Sequence, residues 1–292
     1  MPSHMGLEAT TFGQGTRDEH FAFDPAYTPL NHGSYGAFPT AIRNHQRALQ
    51  DRIEARSDPY IRFTIPELLQ RSRIGAATLL GAFIDDVVFV PNATTAVNTV
   101  LRNLRFIEGD TILYFCTAYG ACEKAIHFEA KMEDNVDTKD DIDGMSSVTQ
   151  GPGRFGDLFK WAATIDQTPY LCVPEAIKFR TDVCGGEDKI RYYCFNLARD
   201  GGHSLAKILG TETMQNSEDT LGQCCFTNVR LPLLFNTERR GGLECAEGPD
   251  VVKWTMDRAL CEFNTWIPGK YYAGAVWVRL SAQIYLGIKD FE

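Results

Sequence analysis

Residues Val87 to Thr95 read VVFVPNATT, and the change of character along this stretch decides the fold. Val87 to Val90 is a β-branched and aromatic run of strand type, Pro91 closes it, and Asn92 is a favoured N-cap for a helix running on from Ala93. The same change recurs at Thr111 to Phe115, followed by a helix from about Gly120. Strands alternating with helices argue for a parallel sheet covered on both faces, so the expected fold class is α/β. Thr94 and Thr95 stand in the first turn, where backbone N–H groups are free and the helix end is partly positive. Their hydroxyls would complete a phosphate seat. An ordinary capped helix after a buried strand accounts for the same residues, and spacing does not separate the two readings.

Outward from this stretch, the first thirty residues read as irregular and polar, ending in the glycine-punctuated loop Asn31-His32-Gly33-Ser34-Tyr35-Gly36. Pro39-Thr40 opens a helix to about Arg56, with Ile42, Leu49 and Ile53 at helical spacing, and Asp58-Pro59 ends it. Pro66 starts the next helix, with Leu68, Leu69, Leu79 and Leu80 expected on its buried side. Residues 132–153 are acidic and small, which reads as a poorly ordered linker. Beyond it, a helix from Pro174 is stopped by Gly185-Gly186, and a longer one runs from Glu187 to about Leu209. A strand-like run follows at Cys224 to Leu231, then a helix over Val251 to Phe263 and a last strand over Ala275 to Leu280. The expected organisation is an N-terminal arm (1–39), a large lobe (40–131) whose parallel sheet is short of strands, a linker (132–155) and a small α/β C-terminal lobe (156–292).

Composition narrows the function classes. A chain of 292 residues with 44% hydrophobic content can bury a core. A net charge of −9 and a pI near 5.2 argue against nucleic acid as a partner. The nine cysteines form no C-x-x-C pair, and no histidine spacing completes a zinc site, so no metal is expected. Neither a signal-peptide core nor a membrane-length apolar run is present, and a reduced, cytoplasmic protein is expected.

Two further residues have chemical potential. Tyr119 follows the second strand, at a carboxyl end of the sheet where ligands bind in open α/β folds, and its ring could stack on a flat heteroaromatic group. A half-buried surface tyrosine is the plainer alternative. Arg279 lies in the apolar strand Val276-Trp277-Val278-Arg279-Leu280-Ser281, where a guanidinium is costly unless it meets an anion. That anion is either an internal carboxylate or the carboxylate of a substrate.

Taken in order, NHGSYG at 31–36, PNATTAVNT at 91–99 and YGACEK at 119–124 resemble class V aminotransferases of the pyridoxal-phosphate fold type I. The branch they are most similar to is that of fungal proteins like isopenicillin N epimerase and the sulfoxide or cysteine lyases. Ala163 to Asp166 with Pro169 to Leu171, Cys194 to Gly202, and VRLSAQIYL at 278–286 fit the same pattern, so the resemblance covers most of residues 20–292. It implies a transaminase or lyase acting on a small amino acid, in fungal secondary or sulfur metabolism, as a homodimer. Thr94 and Thr95 would hold the phosphate of pyridoxal 5'-phosphate, Tyr119 would stack on its ring, and Thr164 would reach the phosphate in a partner subunit's site. Arg279 would bind the substrate carboxylate, with Asn31 and His32 lining the substrate side. Ala163 stands where the family usually has glycine.

The larger departure is an internal gap. Family members carry, between the Tyr119 and Thr164 regions, an aspartate that pairs with the pyridine nitrogen and a lysine that forms the Schiff base. Roughly three or four βαβ pieces of about 30 residues each are absent here. Asp143 in Ile142-Asp143-Gly144-Met145 and Lys160 in Phe159-Lys160-Trp161 only mimic these motifs. Asp143 has no apolar strand before it, and Lys160 belongs to the segment that precedes Thr164. The catalytic lysine is therefore unassigned, cofactor binding is expected to be weak or lost, and an inactive remnant pairing with an intact homologue is the alternative to an enzyme.

Overall fold

A computed structural model describes residues 11–107, 109–115, 118–132, 165–235 and 243–292. In chain order the helices are α1 (Gln14–His20), α2 (Thr40–Ala55), α3 (Ile65–Leu80), α4 (Ala93–Asn103), α5 (Gly120–Met132), α6 (Thr168–Leu171), α7 (Val173–Asp182), α8 (Glu187–Leu209) and α9 (Gly248–Phe263). The strands are β1 (Phe226–Arg230), β2 (Gly269–Tyr272) and β3 (Ala275–Ser281). They make up two compact units, residues 1–47 with 175–292 and residues 48–174. The N-terminal arm thus belongs with the C-terminal residues, and α2 and α7 each run across a boundary between units. The expected linker at 132–153 lies almost wholly outside the described residues.

The first unit is built on an antiparallel sheet in the order β1-β3-β2. β3 is central, and Val276, Val278 and Leu280, which share one of its faces, are all buried. The register opposes Val229 to Val278 and Asn228 to Arg279. Helix α8 packs against β1, with Ile190, Cys194, Leu197 and Ala198 on its buried side. Two glycines allow the close approach. A Cβ on Gly202 would lie 2.4 Å from Thr227 Oγ1, and one on Gly201 would lie 2.5 Å from the Phe291 ring. α9 covers β2, with Gly248 against the ring of Tyr271. Leu30 O accepts from Ser281 N (2.8 Å) and Thr28 O accepts from Thr265 Oγ1 (2.7 Å), which ties the N-terminal segment to this sheet.

Residues 14–20, expected to be irregular, form α1. Arg17 ties that helix to the chain end, donating to Tyr285 O (3.0 Å) and pairing with Asp290 Oδ1 (2.7 Å). Seven residues are too short to form a stable helix by local propensity, so this element depends on its tertiary contacts.

In the second unit Pro59 does not end the helical path. A short turn over Ser57–Pro59 and a π-turn over Tyr60–Thr64 lead straight into α3. Leu79 and Leu80 are exposed, contrary to expectation; the buried stripe is Ile65, Leu69, Ser72, Arg73 and Ala77, a spacing of three or four residues. Arg73 is buried with no carboxylate partner among the described residues: it donates to Val87 O (2.8 Å), Ile84 O (2.6 Å) and Gln70 Oε1 (3.2 Å).

The parallel sheet expected from Val87 to Val90 and Thr111 to Phe115 is not found among the described residues. Both segments lack ladder partners, and Leu113 and Phe115 are 94% and 83% exposed. Instead the first segment docks on helices. Arg73 holds its carbonyl, and the Phe89 ring stacks on Tyr170 of α6 (centroids 5.3 Å apart, planes within 7°). Strand propensity reports fit to a half-buried pleated surface, and without a neighbouring strand these residues stay extended but unpaired. Among the described residues the fold is therefore a mixture of helices with a small antiparallel sheet.

Candidate functional site

Two groups of the expected residues lie in different units, and each has its own geometry. In the second unit, Asn92 caps α4 as the sequence suggests: its Oδ1 accepts from Thr95 N (2.8 Å) and from Thr95 Oγ1 (3.1 Å). Thr95 therefore has both its amide and its hydroxyl committed to the cap. The Thr94 hydroxyl has no hydrogen-bond partner among the described residues, and the first turn carries no acidic side chain. α4 and α5 pack together, and Arg102 pairs with Glu129 at 3.4 Å. Tyr119 immediately precedes α5. Its carbonyl accepts from Cys122 N and Glu123 N, and its side chain is 68% exposed.

In the first unit, the loop Asn31 to Gly36 folds over the end of β3. Asn31 O accepts from Ser34 N and Tyr35 N (3.0 Å each), and Gly33 N donates to Ser281 Oγ (3.2 Å). Arg279 reaches into this turn, where its Nη2 donates to Asn31 Oδ1 (3.1 Å) and to Ser34 Oγ. Its guanidinium carbon lies 5.7 Å from the centre of the Phe226 ring. The side chain is half-buried, and desolvation lowers its pKa, although a guanidinium stays charged. Its Nε is buried without a partner, and Arg279 makes no ion pair among the described residues. The internal salt bridge that would account for this arginine structurally thus has no partner there.

Asn31 is only 4% exposed and spends its amide oxygen on Arg279, so it orients the guanidinium. His32 Nδ1 is 2.8 Å from the Tyr285 hydroxyl, and burial, with Arg180 adding to it, holds its imidazole below the usual range. The ring packs so closely that a Cβ on Gly36 would lie 2.6–2.9 Å from its atoms. Thr164, Lys160 and Asp143 lie outside the described residues. Ser34, Ser281 and Tyr285 complete the arrangement and were missed by sequence reasoning. For Ser281 the signal was available: two positions past Arg279 on a strand, it shares the arginine's face.

Among the described residues no cluster of histidine, cysteine and carboxylate side chains is suited to a metal ion, and no helix is long and apolar enough to cross a membrane. No family model matches the chain. It is 28% identical to an L-cysteine desulfhydrase-like protein, lolT1, of Epichloe uncinata over 420 aligned positions covering 94% of this chain and 92% of that one. A second protein of that organism with the same description, lolT2, is 25% identical over 94% of this chain and 90% of its own length. The hercynylcysteine sulfoxide lyase of Schizosaccharomyces pombe is 22% identical over 94% of each.

Proposed function

We propose that this chain is a pyridoxal-phosphate-binding protein of the fungal cysteine and sulfoxide lyase group. It recognises a small, sulfur-bearing amino acid, and the internal segment bearing the Schiff-base lysine is missing. The observation that carries the reading is Arg279, a half-buried guanidinium with an unpartnered Nε, no carboxylate partner among the described residues, and an orientation set by Asn31 and Ser34. A cation held ready in this way suits the carboxylate of an amino acid. The names of the relatives support the sulfur chemistry. The aligned length supports the missing segment: 420 positions exceed the 292 residues of the chain, so at least 128 of them (420 − 292) face no residue here.

The residues present fit the phosphate end of the cofactor. Thr94 offers a hydroxyl without a partner among the described residues, the start of α4 offers backbone N–H groups with no acidic side chain in its first turn, and Tyr119 offers an exposed ring just before α5, which packs against α4. When bound, pyridoxal phosphate supplies the electron sink that weakens bonds to the amino acid's α-carbon. Thr94 and the amides of Ala93 and Thr94 would hold the phosphate, Tyr119 would cover the ring, and Arg279 would hold the substrate carboxylate. Among the described residues no lysine takes the place of the covalent anchor, so binding is expected to be reversible.

The test is an absorbance titration of the purified chain with pyridoxal phosphate, followed by dialysis and borohydride treatment. Saturable binding no tighter than micromolar, lost on dialysis with nothing trapped, is expected. A trapped adduct mapped to Lys160 would overturn the missing anchor, and no saturable binding at all would overturn the cofactor reading. In the same titration Thr94→Ala should weaken binding about 10-fold or more, since a hydrogen bond to a charged group is worth about 1.5–3 kcal/mol. Thr95→Ala should weaken it less, because that hydroxyl already serves Asn92. The reverse order would mean that Thr95 leaves its cap to meet the phosphate.

A further inference from the structure

Asn31 and Ser34 aim Arg279, so the turn that carries them must itself be held. Gly33 to Gly36 are exposed, and little apolar burial fixes them. Two side-chain contacts tie the turn to the segment that follows Arg279 without involving the guanidinium. Gly33 N donates to Ser281 Oγ (3.2 Å), and His32 Nδ1 lies 2.8 Å from the Tyr285 hydroxyl. The second is the shorter, and it ends on the more deeply buried anchor.

Tyr285 is a fixed point. It is 1% exposed, its ring centre lies 4.7 Å from that of Phe21 and 4.8 Å from that of Phe23, and its carbonyl accepts from Arg17 Nε (3.0 Å). Burial raises the pKa of the phenol, so it stays protonated beside His32. A phenylalanine would fill the same aromatic cluster, which leaves the hydroxyl with a task other than packing. His32 carries that task to the turn. It stands between Asn31 and Gly33 in the chain, and Gly36 crosses its ring, where a Cβ would lie 2.6 Å from Cε1 and 2.8 Å from Nδ1.

We propose that Tyr285 is a positioning residue for Arg279: its hydroxyl, through His32, holds the turn at 31–36 in the form that sets Asn31 Oδ1 and Ser34 Oγ on the guanidinium. Without that hydroxyl the aromatic cluster stays filled but the turn is released. The guanidinium then samples other orientations, and a carboxylate must order it on binding. Strand and anchor belong to one stretch of chain, since Arg279, Ser281 and Tyr285 lie within seven residues. The role rests on the reading of Arg279 as the group that binds the substrate carboxylate.

The experiment takes the full chain as purified and measures two things: amide hydrogen exchange over residues 31–36, and calorimetric binding of S-methyl-L-cysteine and of its carboxamide. Tyr285→Phe is expected to speed the exchange and to weaken binding of the amino acid about 3- to 10-fold, the worth of one neutral hydrogen bond, with the carboxamide unaffected. Gly36→Ala reaches the same contact from the other side. Its φ is not positive, so the backbone accepts alanine, but the Cβ displaces the His32 ring and should give the same two changes. His32→Leu should also give them, whereas His32→Asn, which offers an amide atom near the place of Nδ1, should recover much of both. Unchanged exchange in Tyr285→Phe overturns the proposal, and so does faster exchange with full discrimination between the two ligands. A native chain that does not discriminate overturns the carboxylate reading of Arg279 instead, and the role of Tyr285 falls with it. If Tyr285→Phe does not fold, Gly36→Ala decides by the same criteria.

Discussion

Gly202→Val is expected to destabilise the protein by about 3 kcal/mol, at the upper end of the usual cost of overpacking a core. The position is the contact point of α8 with β1. A Cβ there would lie 2.4 Å from Thr227 Oγ1, 2.8 Å from its Cγ2 and 2.9 Å from its Cβ. Thr227 cannot swing aside easily, because a β-branched residue on a strand is stiff at χ1. The helix must instead lift off the sheet, which opens the layer that contains Val229 and Leu280. Urea unfolding midpoints at constant slope give the measurement. Thr227→Ala should recover part of the loss in the double variant, since the clash is with that side chain. A loss below about 1 kcal/mol, or no recovery, would mean that α8 and β1 are not packed this closely.

Arg279→Ala is expected to weaken amino-acid binding by at least 10-fold, following the worth of a charge-assisted hydrogen bond, about 1.5–3 kcal/mol. Stability should fall by no more than about 1–3 kcal/mol, the cost of leaving the buried Asn31 oxygen without its donor, because the substitution breaks no ion pair among the described residues and removes a half-buried cation. An arginine that served the fold through a salt bridge would show a different pattern, with stability falling further and binding intact. Arg279→Lys should keep the charge but lose the fork that Asn31 and Ser34 orient, and so recover only part of the affinity. Comparing an amino acid with its carboxamide gives the sharpest readout. The native chain should discriminate between them, and Arg279→Ala should not.

Sequence periodicity located the C-terminal elements closely. The helix read from Glu187 to about Leu209 and the strand read from Ala275 to Leu280 are found at Glu187–Leu209 and Ala275–Ser281. Both are long or strongly apolar, and both end where glycine, proline or a turn stops them locally. The N-cap at Asn92 was equally legible, because a cap is decided within four residues. Strand pairing was not. Val87 to Val90 and Thr111 to Phe115 have the composition of strands, but a strand needs a neighbour to accept its hydrogen bonds, and composition cannot supply one.

What the amino-acid sequence determined by itself was local: which residues start helices, which runs stay extended, and which side chains can hold an anion. Tertiary structure alone decided which of those side chains are free. Thr94 and Thr95 are identical in type and adjacent, yet one hydroxyl serves the cap and the other does not. Asn31, expected to line the substrate side, is also the group that aims Arg279, because the loop at 31–36 closes over the end of β3. The cap at Asn92 is local, but Asn31 and Arg279 are remote in the chain, and packing, not propensity, brings them within hydrogen-bond reach.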